Sequence, residues 1–197
     1  MKKKTLIFIA LPILFIIIIT ALILTNKNEI KDPTEIEKIV SDSNIELLLN
    51  FGNFDKENYS LEKLLEISMD FASKKNYLSE TTEGEFFEYV NKDELHSIIY
   101  ALTGITVEAP IEIEDSLYVY DSENERYFLV PVNLAKYELV SIEHIYINDD
   151  TYTIECTAQR NEDGEIVDRK KFTTVFEYIS DSSYTNYQLI SQSEQDV

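Results

Sequence analysis

Two histidines and one cysteine are the only side chains from which this 197-residue chain could build a thiol–imidazole pair: His96, His144 and Cys156. A thiolate nucleophile needs a base in contact and a depressed pKa. Cys156 is followed by Thr157 and Ala158, and strand alternation puts it on one face with Tyr152 and Ile154. The expectation is a buried, inert thiol. His96 sits between Leu95 and the Ile98-Ile99 pair, toward the polar side of a helix, and His144 lies between Glu143 and Ile145 in a strand. Both read as ordinary packed or solvated histidines. Zinc needs three or four converging ligands, and the chain has no HExxH or CxxC; it also has no GxSxG. Four glycines leave few places for backbone to cradle a phosphate.

Carboxylates are abundant, so each one is weak as a signal. Asp121, Glu123 and Glu125 alternate like the first three ligands of a calcium loop, but that loop then needs glycine at its sixth position and glutamate at its twelfth. Here those positions hold Arg126 and Val132, so 121–125 reads as a solvated hairpin turn. A glycosidase would need two carboxylates at a fixed separation, which spacing along the chain does not define. The residues therefore nominate no catalytic, cofactor-binding or metal site, and no cofactor. Tyrosine is the enriched type: of 13, nine follow Pro110, namely Tyr118, Tyr120, Tyr127, Tyr137, Tyr146, Tyr152, Tyr178, Tyr184 and Tyr187. Such rings could form a platform for a peptide or glycan; β-propensity and cross-strand pairing explain them more simply. Asn58-Tyr59-Ser60 fits the glycosylation sequon, which matters only where the source glycosylates secreted proteins.

The elements that would position these residues begin with an apolar run. Residues 5–25 carry no charge, follow Lys2-Lys3-Lys4, and are interrupted between Leu6 and Leu24 only by Pro12 and Thr20. Roughly 20 helical residues cross the ~30 Å hydrocarbon core. A cleaved signal has a shorter apolar region of about 7–15 residues and a small-x-small site, which ALILTNKN does not offer. A lipoprotein signal is excluded because the only cysteine is Cys156. The expectation is an uncleaved signal anchor at 5–25, a cytoplasmic basic tail at 1–4, a polar tether at 26–32 and an extracytoplasmic domain at 33–197.

The leader holds three lysines and no acid, so the remainder carries 14 Lys and Arg against 37 Asp and Glu. Such a surface repels nucleic acid and anionic lipid. A lone cysteine makes no internal disulfide, so the core alone must hold the domain. Asp32-Pro33 starts a helix that falters at 41–44 and resumes near Ile45. Ser60 caps a second, to about Lys75, with Leu61, Leu64, Leu65, Ser68, Phe71 and Ala72 on one face; Asn91 caps a third, with Leu95, Ile98, Ile99 and Leu102 inward and Gly104 as its stop. The stretch 84–90 is ambiguous between strand and helical turn. Strands are expected at 111–120, 126–132, 137–148, 151–160, 171–180 and 186–192, with turns at 121–125, 148–150 and 161–168. The fold class is α+β: about three helices packed on an antiparallel, meander-like sheet.

Helices followed by a long-stranded, Tyr-rich sheet over roughly 110–192 resemble the NTF2-like and cystatin-like folds in outline. The same order resembles small Gram-positive surface proteins, including secreted inhibitors of cell-wall hydrolases, and the Ile-, Lys-, Asn- and Tyr-rich, Trp-free composition resembles proteins of AT-rich bacteria. The expectation is a single-pass, membrane-anchored extracytoplasmic binding or accessory module of a Gram-positive-type envelope. Its partners would be the membrane, through the N-terminal helix, and a protein or cell-envelope ligand, with no nucleic acid. The alternative is an envelope-facing hydrolase with a carboxylate-based site.

Overall fold

Asp32 opens the first helix as its chemistry requires: its carboxylate accepts the Thr34 N–H at 2.9 Å, and Pro33 takes the first helical position. The computed structural model describes residues 28–80, 88–114, 117–129, 136–180 and 183–197. The expected anchor at 5–25, residues 84–87 of the ambiguous stretch and residues 130–132 of one expected strand lie outside the described residues. Among those described, no helix is long and apolar enough to cross a membrane.

Four helices are described: α1 (Pro33–Ser43), α2 (Ile45–Leu48), α3 (Leu61–Lys74) and α4 (Lys92–Thr103). Asn44, left-handed at φ 56°, separates the first two, so the chain continues as a short separate helix and then a 3-10 turn, Leu49–Phe51. Ser60 caps α3, its hydroxyl accepting the Lys63 N–H at 3.1 Å. The expected face of α3 is buried except Leu61, which as the first helical residue stays about half exposed. Asn91 holds the cap position of α4 in an extended conformation, but its side chain makes no capping bond. Leu95, Ile98, Ile99 and Leu102 are buried, and Gly104 ends α4 at φ 68°.

The strands form two antiparallel sheets rather than one. The large sheet runs β1 (Asn28–Glu29), β7 (Tyr137–Asn148), β8 (Thr151–Glu162), β9 (Glu165–Tyr178), β10 (Tyr187–Asp196) and β2 (Phe54–Asp55). The small one runs β3 (Ser79–Glu80), β4 (Glu88–Asn91), β6 (Arg126–Leu129) and β5 (Tyr118–Asp121). The separation comes from β4, which pairs with β6 and brings Tyr89 opposite Phe128. Of the expected strand 111–120, the described residues 111–114 and 117 are not strand, and β5 begins at Tyr118. Ile111 is buried by packing, and its N–H donates to the Tyr127 hydroxyl instead of a neighbouring strand. The expected turn at 161–168 is only two residues long. Asp163 and Gly164 supply the paired positive φ of a tight hairpin turn, and β9 begins at Glu165.

One face of the large sheet meets the helices. Ile145, Ile154, Cys156, Ala158, Phe172 and Phe176 join helix residues such as Ile45, Leu48, Phe71 and Leu95 in one core. Thr174 and Gln192, also buried, lie within it. The Thr174 hydroxyl donates to Gln192 Oε1 at 2.9 Å, and Gln192 Nε2 donates to the carbonyls of Leu48 and Gly52, each at 2.8 Å. This single amide satisfies the end of α2 and the turn after it.

The stretch expected to be a tether is docked from residue 28 onward. Asn28 lies opposite Ile147 and Glu29 opposite Tyr146, and the Ile30 N–H donates to the Ile145 carbonyl at 2.9 Å. Ile30 is buried, and the Glu29 carboxylate meets His144 Nδ1 at 2.7 Å.

Candidate functional site

The polar side of α4 faces a cleft of about 700 Å³. His96, Ser97, Tyr100 and Ala101 fall at helical spacing on this side, while the apolar stripe of the same helix enters the core. Thr106 and Val107 line it just beyond Gly104. The opposite wall is the β9–β10 connection, with Ile179, Ser180, Ser183 and Tyr184, then Gln188 at the start of β10.

Each wall has a traceable support. At the end of α3, Asn76 is left-handed at φ 59°; its N–H bonds the Ser73 carbonyl, and the Tyr77 N–H bonds the Ala72 carbonyl at 2.8 Å. This is a Schellman closure. It seats Tyr77 against Phe71, with ring centroids 6.1 Å apart, and Tyr184 meets Tyr77 edge-on at 5.2 Å. Gln188 is buried and its Nε2 donates to the Tyr100 carbonyl at 3.0 Å, tying β10 to α4. Gly104 permits this approach: a Cβ there would sit 2.7 Å from Gln188 Oε1 and from Lys56 Nζ.

The chemistry of the cleft is neutral and polar. Burial, and then the charge of Lys92, lower the His96 pKa, with Asp93 opposing, so the imidazole is uncharged at neutral pH. Its Nε2 is out of solvent with no hydrogen-bond partner among the described residues. The Ser97 hydroxyl donates to the Asp93 carbonyl at 2.7 Å and so is bound to its own helix rather than to a base. Burial, then the charge of Glu94, raise the Tyr184 pKa and keep its hydroxyl protonated. Tyr100 is 55% exposed. None of the described residues lining the cleft is Asp or Glu. The arrangement can exchange hydrogen bonds with uncharged N–H, C=O and O–H groups and offer one accessible ring.

The other residues that the sequence singles out lie apart from this cleft. His144 is on β7, paired with Glu29. Cys156 is fully buried on the core face, opposite Ile142, while Glu155 is the residue opposite His144. Burial, and then the nearby charge of Glu143, push the thiol up to about 12. In the 121–125 turn, Asp121 accepts from the Glu123 and Asn124 amides, the Asn124 side chain and Arg126 Nε. Glu125 instead pairs with Lys92. The carboxylates therefore diverge, and no group of three potential metal ligands forms among the described residues. The tyrosines are distributed over both sheets: Tyr127 is buried, Tyr152, Tyr178 and Tyr187 pack on one another, and Tyr137 bonds Asp168 at the far end. Packing and cross-strand pairing account for this pattern.

No protein-family model, no curated protein and no solved structure matches the chain.

Proposed function

We propose that the chain is a membrane-tethered extracytoplasmic binding module whose cleft between α4 and the β9–β10 connection takes a segment of a protein or cell-envelope ligand. The cleft carries this reading: about 700 Å³, walled by tyrosines, serines and Gln188. The apolar run at 5–25 supports attachment to a membrane, where a weak site gains from high local concentration. The hydrolase alternative lacks support here, because the described lining offers no pair of carboxylates to act as acid and base.

Titrating the full-length protein in detergent with envelope peptides and glycan fragments tests the reading. A ligand that binds the parent protein should lose about tenfold in affinity with Tyr100→Ala, the loss of one well-placed aromatic contact. Equal affinity for parent and variant would move the site elsewhere.

A further inference from the structure

The cleft lies at the end of the large sheet from which the chain departs toward its apolar run. Asn28 stands opposite Ile147, at the β7–β8 turn, so the described chain begins at that end of the sheet. Thr151 pairs with Glu177, and the Tyr178 N–H donates to the Asp150 carbonyl at 2.7 Å. The β9–β10 connection therefore stands at the same end, and its residues form one wall of the cleft. The far end carries the β8–β9 turn at Asp163 and Gly164 and the last residues of β10.

Thr25 and Asn28 are separated by three Cα steps, a reach of about 10 Å. Four strand spacings from β1 to β10 set the cleft about 20 Å sideways from the attachment point. A 12-residue strand such as β7 carries the opposite end roughly 40 Å farther out. Where 5–25 is read as a membrane span, so short a link turns the end holding the cleft toward the bilayer.

From this, and resting on the reading of the cleft as a binding site and of 5–25 as a membrane span, we infer that the ligand is a polypeptide: the juxtamembrane segment of another integral membrane protein. Location restricts the occupant to what lies beside the bilayer. Composition then separates peptide from lipid. A lipid headgroup brings a phosphate, yet no Lys or Arg is among the described residues lining the cleft, and Asp149, Asp150 and Glu177 lie exposed at this end. A peptide brings uncharged N–H and C=O groups that the exposed Tyr100, Ser180 and Ser183 side chains can meet.

Photo-crosslinking in the native membrane tests this. The full-length chain would carry a photoreactive phenylalanine analogue in place of Tyr100, or of Ile166 beside the far turn, which is 55% exposed. The expected result is an adduct at position 100, absent at position 166, whose crosslinked fragment is a peptide of another protein that, before crosslinking, stays with the membrane through a high-pH wash. Adducts with lipid, with glycan or with a washable protein overturn the membrane-embedded partner while leaving the cleft as a binding site. No adduct at position 100, or equal adducts at both positions, overturns the cleft itself as the place of binding.

Discussion

Cys156 and Gln192 show two ways a buried group is kept harmless. The thiol is shielded by apolar neighbours that hold it protonated, so it should resist a thiol reagent in the native protein and react fully in denaturant. Rapid native labelling at neutral pH would contradict its placement. Gln192 instead has every amide atom partnered. Gln192→Leu would strand two carbonyls and the Thr174 hydroxyl, each worth about 1–3 kcal/mol when buried unpaired. The urea midpoint should fall markedly while the slope stays unchanged. The shielding of Cys156 could be read from the alternation of 151–159. The role of Gln192 could not, because a lone Gln in a strand carries no mark of the helix end it will meet.

At the scale of elements, local chemistry was the most readable layer. Asp32-Pro33, Ser60 and Gly104 mark helix boundaries because capping depends on a few adjacent residues. The Asp163-Gly164 turn was equally local, but an acidic, strand-poor stretch around it concealed the early start of β9. The division into two sheets was not readable: it depends on β4 finding β6 some 35 residues away. The cleft was unreadable for the same reason, since it exists only where α4 meets the 179–188 region. Gly104 joins the two layers. Gly104→Ala would put a side chain in left-handed backbone, at about 1–2 kcal/mol, and crowd Gln188. A drop of about 2–8 °C in thermal midpoint is expected. An unchanged midpoint would mean that the turn relaxes freely.

For the whole molecule, charge decides how the folded body responds to acid. The Glu29 carboxyl is held below its ordinary 4.5 by its bonds first to His144 and then to Lys31. A carboxyl depressed in the folded state contributes stability above its unfolded value and loses that contribution as pH falls through the folded one. Glu29→Gln should therefore lower the urea midpoint near neutral pH, and the gap to the parent should close as the solution is taken well below pH 4.5. A gap constant through that range would show that the pair contributes nothing through its charge.

The two-residue strand that carries Glu29 also makes the proposed tether an extensible leash. β1 is held by few backbone bonds and should be among the first elements to open. Its release frees chain up to the cap at Asp32, and the stretch 26–32 then spans about 25 Å at full extension. Acid, by weakening the grip on Glu29, favours the longer leash. On the proposed membrane attachment, the body then gains freedom to swing and sweep a wider area of the surface beneath it, without any other element unfolding.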